Sequence, residues 1–275
     1  MLNYLYITNQ PLVAAFVESC GVQRIFVDLE INGKEERQGH LDTVISKHSF
    51  DDIKSIKKSL TTAELLVRLN PFYSGSEVEI DTAIAAGADI IMLPMIKNIA
   101  EVSEFGRLID GRAKLMPLIE TVYSAENIKA IHDSEYVDEL HIGLNDLHLE
   151  LGLTFMFQLI SNGMVKKMVE GLSKPFGIGG IARVGVGGIP GELVLAQHVE
   201  LGSSGVILSR AFHADTQSVE SLNSEFDFLT ELKKLNTEYL LLKERDSLDD
   251  LVIEFNYKVV ELVKLLESKK YETVI

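Results

Sequence analysis

The chain has 275 residues and a hydrophobic content of 46%, which is enough apolar material for one large core. Its 41 acidic residues against 26 lysines and arginines give a formal net charge of -15, which argues against nucleic acid and anionic membranes as partners. A small anionic substrate would therefore need a locally positive site, such as a bound metal ion or a well-placed arginine.

The cysteine content and the start of the chain bear on the compartment. The single cysteine, Cys20, excludes an intrachain disulfide and fits a reducing environment. The segment MLNYLYITNQ lacks the basic and apolar regions of a secretory signal, and no run approaches the roughly 18 apolar residues of a membrane-spanning helix. We therefore expect a cytoplasmic protein.

Short β-rich runs alternate with longer amphipathic segments, a pattern typical of βα units around a parallel sheet. Eight runs are predicted to be strands: Leu5–Thr8, Ile25–Glu30, Leu65–Asn70, Ile90–Pro94, Leu115–Glu120, Leu140–Gly143, Phe176–Ile181 and Gly205–Ser209. The segments between them carry apolar stripes with helical spacing. Eight such units with continuously apolar strands predict an α/β fold of the (β/α)8, or TIM barrel, type.

A glycine-rich stretch, GIGGIARVGVGGIPG, occupies residues 177–191. It can be interpreted as a phosphate-binding loop or as a strand-end loop with close backbone approach. A dinucleotide site would need a G-x-G-x-x-G junction with a helix and an acidic residue about 20 positions later, and neither is present. The pattern favours the strand-end loop.

The character of the chain changes from about Asp215, after which no strand is predicted. A long helix is expected from Val219 to about Glu244, and a second one ends near Ser268. We assign residues 1–214 to the barrel core and residues 215–275 to C-terminal helices. The first apolar stripe suits the eighth barrel helix, and the second suits a lid or a subunit contact. The stripes are Leu229, Leu232, Leu235, Tyr239 and Leu242, then Leu251, Phe255, Val259, Leu262, Val263 and Leu266.

Two acidic residues end consecutive predicted strands. Glu120 follows an apolar run, and Asp146 comes just after the next one. Parallel barrel strands point their carboxyl ends to the same face, so the two side chains are expected to converge. Two carboxylates with room for water and substrate suit Mg²⁺ or Mn²⁺.

Six motifs in this order resemble the HpcH/HpaI aldolase and citrate lyase β-subunit family, over roughly Ile25 to Arg210. They are DLE at Asp28–Glu30, VRLN at Val67–Asn70, AGADIIMLPM at Ala86–Met95, LIET at Leu118–Thr121, IGLNDLHLELG at Ile142–Gly152 and GIGGIAR at Gly177–Arg183. The resemblance implies a pyruvate/phosphoenolpyruvate-binding barrel with a divalent metal, assembly as a homo-oligomer, and reversible cleavage of a carbon–carbon bond.

The resemblance also implies roles for individual residues. Glu120 matches the first metal ligand of the family and Asp146 the second, while Arg68 matches the arginine that contacts the keto or enolate oxygen. A planar guanidinium suits an enolate oxygen and a carboxylate better than lysine does. Leu144 and Asn145 are predicted to contact the substrate together with Asp146.

Asp28 and Glu30 are candidate catalytic residues with two open interpretations. They can orient Arg68 and metal-bound waters, which we favour, or act as the acid/base pair. The HpaI-type acid/base dyad is not retained, because Ile31 and Ser76 stand where that branch has histidine and aspartate.

Histidines and basic residues that follow the second predicted strand are further candidates for the site. His40 and His48 are the histidines that could take over the lost acid/base role. Lys34 and Arg37 could receive a carboxylate or a coenzyme A phosphate, and a solvated charged loop is an equally good interpretation.

The sequence thus predicts a metal-dependent carbon–carbon lyase or aldolase for a 2-oxo acid or a citrate-lyase-like acyl thioester. Two alternatives stay open. The same enolate site could serve a condensing synthase or a phosphoenolpyruvate-type transferase, or the chain could be a non-catalytic assembly subunit.

Overall fold

The computed structural model describes residues 2–32, 48–213, 218–224 and 226–272. Eight parallel strands form one closed barrel in sequence order, as predicted. The strands are β1 (Asn3–Ile7), β2 (Arg24–Asp28), β3 (Glu64–Arg68), β4 (Ile90–Leu93), β5 (Lys114–Ile119), β6 (Leu140–Ile142), β7 (Phe176–Ile181) and β8 (Gly205–Leu208). All eight predicted strands are present, with ends shifted by a residue or two.

The described helices cover the outside of the barrel and continue beyond β8. They are α1 (Pro11–Ser19), α2 (Phe50–Ser59), α3 (Ser76–Ala86), α4 (Ile99–Ile109), α5 (Val122–Glu126), α6 (Ile128–His132), α7 (Leu144–Glu150), α8 (Gln158–Ser161), α9 (Met164–Val169), α10 (Gly191–Leu201), α11 (Arg210–His213), α12 (Val219–Ser224), α13 (Phe228–Lys243) and α14 (Asp249–Glu272). Among these helices, none combines the length and the apolar character needed to cross a bilayer.

Successive side chains along each strand point alternately into the barrel and outward to the helices, which produces two apolar layers. Side chains pointing inward from six strands fill the barrel, whereas the larger cluster lies between the barrel and its helices. Phe26 and Met92 belong to the inner layer, directly below the carboxyl ends of the strands. The barrel interior is therefore a packed core. The carboxyl ends of the strands lie above it, at the face where barrels of this type carry their active sites.

The C-terminal part differs from the predicted single helix between Val219 and Glu244. The segment divides into α12 and α13, because the Asp227 side chain accepts a hydrogen bond from the Thr230 backbone N–H and starts a new helix there. Leu229 is 38% exposed, and Phe228 takes the inner position instead. The proposed boundary at residues 214–215 lies outside the described residues.

Both long C-terminal helices pack on the barrel. Helix α13 lies against α10, in the position of an eighth barrel helix, and α14 contacts α10 and α8. Phe255 and Val259 of α14 are buried, whereas Ile253 and Tyr257 on the same helix are more than 60% exposed (68% and 62%). The role of α14 as a lid or a subunit contact stays a prediction.

The glycine-rich segment runs from β7 to the start of α10. A Cβ atom at Gly191 would overlap the backbone oxygens of Ala182 and Arg183, and one at Gly177 would overlap the His141 ring on β6. Glycine at these two positions therefore permits close packing of backbone and ring.

Two buried histidines lie in this region. Burial lowers the pKa of His198 on α10 to about 3 and that of His141 to about 4, and Nδ1 of His198 lies 2.9 Å from the Ser203 hydroxyl. Each therefore stays neutral in the folded protein at pH values where it is charged in the unfolded chain.

We predict that His198→Asn reduces the acid sensitivity of folding. In the wild type, the unfolded chain binds a proton at His198 below pH 6.5 while the folded protein does not, so stability falls as the pH falls from 6.5 toward the folded pKa. This histidine alone should account for about 2 kcal/mol between pH 7.5 and pH 5. Denaturant unfolding at the two pH values measures the difference.

The asparagine variant keeps a polar atom near Ser203, so any packing loss appears at both pH values. The pH-dependent difference in the free energy of unfolding should shrink by about 2 kcal/mol in the variant. An unchanged difference would show that His198 is already protonated in the folded protein at pH 5.

Candidate active site

The candidate site lies at the carboxyl ends of β2, β3, β5 and β6. The parallel register places Asp28 of β2 directly beside Arg68 of β3. The guanidinium then donates two parallel hydrogen bonds of 2.9 Å, from Nε to Oδ1 and from Nη2 to Oδ2 of Asp28. This bidentate geometry fixes the plane of the guanidinium.

Glu30 adds a second carboxylate to the same arginine. Its Oε2 lies 3.4 Å from Nη1 of Arg68, and the Glu30 side chain is buried. Of the five N–H donors of arginine, Asp28 takes two, and even with one directed to Glu30 two remain. Asp28 and Glu30 therefore hold Arg68 in place and leave donors for a ligand.

Phe26 lies beneath the arginine in the barrel interior. The centre of the guanidinium is 5.6 Å from the centroid of the Phe26 ring, a favourable cation–π distance. Burial opposes the charge of Arg68, but Asp28 and Glu30 outweigh it and raise the pKa of the guanidinium. Arg68 therefore carries a permanent positive charge at the bottom of the site.

Glu120 at the end of β5 is almost fully buried, at 2% exposure. Burial raises the pKa of its carboxyl to about 8, with Glu30 and Asp146 adding repulsion and Arg68 and the Met95 N–H opposing the shift. The Met95 backbone N–H donates to Oε1 at 3.0 Å. The site thus gathers more negative charge than its arginine compensates.

Two local backbone features position Glu120. Met95 adopts a left-handed conformation with a φ of 51°, which turns its N–H toward the carboxylate. A Cβ atom at position 143 would lie 2.8 Å from the Glu120 Cβ, so Gly143 leaves the space that this side chain occupies. Met95 is the last residue of the AGADIIMLPM motif, but the sequence predicts no role for it. Only the folded loop after β4 brings its N–H to Glu120.

The first turn of α7 carries the three remaining predicted residues. Leu144 is buried, whereas Asn145 and Asp146 are partly exposed at the start of the helix. Asp146 is close enough to Glu120 to raise the pKa of that carboxyl. The two carboxylates therefore lie at the same end of the barrel, and their role as metal ligands stays a prediction.

The two carboxylates fit a hard divalent cation. Within the described parts of the chain, no group of three acidic, histidine or cysteine side chains is arranged to bind a metal. Mg²⁺ commonly uses one or two protein carboxylates and completes its shell with water and substrate oxygens. The excess of negative charge around buried Glu120 is what a cation would neutralise.

The structure describes both residues at the dyad positions, Ile31 and Ser76, and one of the histidines considered in their place, His48. Nδ1 of His48 accepts a hydrogen bond of 3.0 Å from the Asp28 backbone N–H, so His48 lies beside β2. Ser76 is buried, and its hydroxyl accepts from the Tyr73 N–H. Ile31 is 62% exposed. Lys34, Arg37 and His40 lie outside the described residues.

Asn70, a residue of the VRLN motif without a predicted role, joins the loops around the site. Its side-chain oxygen accepts hydrogen bonds of 2.9 Å from the N–H groups of both Ile31 and Asn32. Its amide nitrogen donates to Glu79 at 2.7 Å. Asn70 therefore fixes the chain after β2 against the chain after β3.

Fold and site together define a parallel (β/α)8 barrel with an arginine and several carboxylates at the carboxyl ends of its strands. Residues 46–158, which include Arg68, Glu120 and Asp146, match the family model of HpcH/HpaI aldolase/citrate lyase. A search of curated protein sequences gave no match. The predicted family resemblance is thereby confirmed over this central part of the chain.

Solved structures, two of them described by the same family name, share the fold. An HpcH/HpaI aldolase from Desulfitobacterium hafniense DCB-2 superposes with a TM-score of 0.60 at 15% identity, covering 90% of this chain and 94% of that one. A family protein from Burkholderia cenocepacia J2315 gives 0.60 at 14% identity, with coverages of 88% and 95%. The citrate synthase SbnG gives 0.55 at 16% identity, with 76% and 85%. At these low identities, the TM-scores show a similar fold and nothing further.

We predict that Arg68→Met destabilises the protein by about 3–5 kcal/mol, because it leaves buried carboxylates without their cation. Arg68→Lys should lose less, since it keeps the charge but not the bidentate geometry. Denaturant unfolding at pH 8 measures both.

Arg112→Met provides the matched control. Arg112 pairs with Asp81 at 2.7 Å, with side chains 43% and 54% exposed, and donates hydrogen bonds to the Ile109 and Leu108 carbonyls at the end of α4, so its loss should cost about 1–2 kcal/mol, well below the loss of Arg68. Equal stabilities of Arg68→Met and Arg112→Met would contradict a structural role for the buried cluster.

Proposed function

We propose that this chain is a divalent-metal-dependent carbon–carbon lyase or aldolase that forms or consumes the enolate of a 2-oxo acid such as pyruvate. The observation that carries the proposal is the convergence of Arg68, Glu120 and Asp146 at one end of the barrel. The match of residues 46–158 to an aldolase/lyase family supports it.

Glu120 and Asp146 are the residues that would hold Mg²⁺ or Mn²⁺. When bound, such a cation supplies Lewis-acid stabilisation of the negative oxygen of an enolate. Glu120 is fixed for this task by the Met95 N–H. Asp146 lies on α7, one strand further around the barrel.

Arg68 has N–H groups beyond those that contact Asp28 and Glu30, and these would bind the substrate oxygen. Because Asp28 holds the guanidinium through two hydrogen bonds, little reorganisation is needed when negative charge develops on the substrate oxygen. Removal of one such preorganised donor commonly costs about 3–4 kcal/mol of transition-state stabilisation. Asp28 and Glu30 act in this scheme by orienting Arg68.

The proposed substrate is a small anion, because the groups that would contact it directly, Arg68 and a bound cation, are both positive. One guanidinium and one divalent cation would offset much of the charge of Asp28, Glu30, Glu120 and Asp146, and a 2-oxo acid presents adjacent oxygens to both positive groups. The same enolate serves cleavage and condensation, so a condensing synthase is a variant of this proposal.

We predict that the metal-loaded protein exchanges the methyl protons of pyruvate with deuterium and that Glu120→Gln reduces the rate by about 100-fold or more. The substitution removes the Glu120 carboxylate, which would bind the cation that stabilises the enolate. Proton NMR of pyruvate in D₂O, with protein stripped and then reloaded with Mg²⁺ or Mn²⁺, measures the exchange.

Glu126→Gln is the matched control, because Glu126 is an exposed glutamate on α5, directly after the same strand. It should exchange at the wild-type rate. Absence of exchange in metal-loaded wild type would contradict the 2-oxo acid proposal, and absence of metal binding would contradict the catalytic interpretation altogether.

A further inference from the structure

The side chain of Asn70 continues the pairing between β2 and β3 beyond the ends of these strands. The Leu29 N–H donates a backbone hydrogen bond of 2.9 Å to the Arg68 carbonyl. Further along the same chain, the N–H groups of Ile31 and Asn32 both donate to the Asn70 side-chain oxygen at 2.9 Å. Asn70 therefore takes the place of a backbone carbonyl and attaches the chain after β2 to the chain after β3.

The Asn70 amide is held in one orientation, because its two ends face different groups. Its nitrogen donates to Oε1 of Glu79 at 2.7 Å, and the Tyr73 hydroxyl donates to the same oxygen at 2.8 Å. The second Glu79 oxygen accepts the Asn70 backbone N–H at 3.3 Å. A flipped amide would point its nitrogen at two N–H groups and its oxygen at a carboxylate. We call Asn70, Tyr73 and Glu79 the Asn70 clamp.

Glu30 directly precedes the two N–H groups that the Asn70 clamp holds. Its buried carboxylate approaches Nη1 of Arg68 to 3.4 Å. The side chains of Ile31 and Asn32 are exposed, so these two residues are attached through their backbone N–H groups and not through side-chain packing. The position of the Glu30 carboxylate at the arginine therefore depends on the Asn70 clamp.

We infer that Asn70 is a positioning residue for the reaction, an assignment that rests on the proposed function. Asp28 fixes one edge of the Arg68 guanidinium, and Glu30, placed by the Asn70 clamp, fixes Nη1. Under the proposed function, Arg68 stabilises the negative oxygen of the enolate. A misplacement of about 1 Å in such a site can cost about 100-fold in rate.

The first test measures methyl exchange of pyruvate by metal-loaded Asn70→Ala. The kcat for exchange should fall about tenfold, whereas KM for pyruvate should change by less than about threefold, because Asp28 still holds the charge of Arg68 in the site. Kd for Mn²⁺ should equal that of wild type, because Glu120 and Asp146 follow other strands. Denaturant unfolding establishes that the variant is folded under the assay conditions.

An exchange of donor and acceptor roles within the Asn70 clamp gives a second test. Asn70→Asp alone places a carboxylate against Glu79 and should also lower kcat about tenfold. Asn70→Asp combined with Glu79→Gln restores every hydrogen bond. The new carboxylate accepts from Ile31, Asn32 and the glutamine nitrogen, whose second N–H reaches the Tyr73 hydroxyl, and the glutamine oxygen accepts the N–H of residue 70. This double variant should recover kcat to within about threefold of wild type.

Glu30→Ala shows whether Asn70 acts through Glu30. Without the Glu30 side chain, the Asn70 clamp has no carboxylate to place, so Asn70→Ala should lower kcat in this background by less than about twofold. A purely structural role of Asn70 would lower kcat by the same factor in both backgrounds.

Asn98→Ala is the matched control. The Asn98 amide likewise accepts a backbone N–H and donates to a glutamate carboxylate, both belonging to Glu101 and both at 3.0 Å. These hydrogen bonds lie at the exposed start of α4 and not beside Arg68. The variant loses a helix cap, but it should exchange pyruvate protons at the wild-type rate.

The wild-type exchange separates this assignment from the proposed function. Four results would overturn the assignment of Asn70 alone: an unchanged kcat in Asn70→Ala, a weaker affinity of that variant for Mn²⁺, no recovery in the double variant, or equal factors with and without the Glu30 side chain. No exchange in metal-loaded wild type would overturn the proposed function, and the assignment of Asn70 with it.

Discussion

The bidentate pair between Arg68 and Asp28 is the interaction on which the rest of the site depends. It follows from the barrel register, which makes the two residues neighbours on adjacent strands, and so the closed barrel itself aligns the guanidinium. A buried arginine needs such partners, because desolvation of an unpaired charge is far too costly. Glu30 and the Phe26 ring complete its surroundings, and the barrel interior stays otherwise apolar.

The eight strands and the location of the candidate site residues at one end of the barrel could be predicted because both depend on local patterns. Continuous apolar runs define buried strands, and polar residues directly after such runs lie at one face of a parallel barrel. Arg68, Glu120 and Asp146 follow that rule. The contact of Asp28 and Glu30 with Arg68 agrees with the orienting role favoured from the sequence, while their catalytic contribution stays a prediction.

The remaining features arise from contacts between segments that are distant in sequence. Met95 turns its N–H toward Glu120 only because its loop folds against β5, and Asn70 joins two loops through its side chain. A cavity of about 550 Å³ beside Asp146 is assembled from three separate segments, namely the chain after β4, the start of α5 and helix α7. The break before α13 depends on the hydrogen bond between Asp227 and Thr230, which helical spacing alone does not reveal.

The charges of the site constrain the order of events in the proposed reaction. Asp28, Glu30 and Asp146 outnumber the single guanidinium even when Glu120, whose pKa is raised to about 8, carries a proton, and the chain as a whole has a formal charge of -15. A 2-oxo acid anion that approaches this site without a cation meets net repulsion, which is strong where water is excluded. With a divalent cation on Glu120 and Asp146, the same anion meets two positive groups. Under the proposed function, a cation therefore has to be bound before the substrate anion can bind favourably.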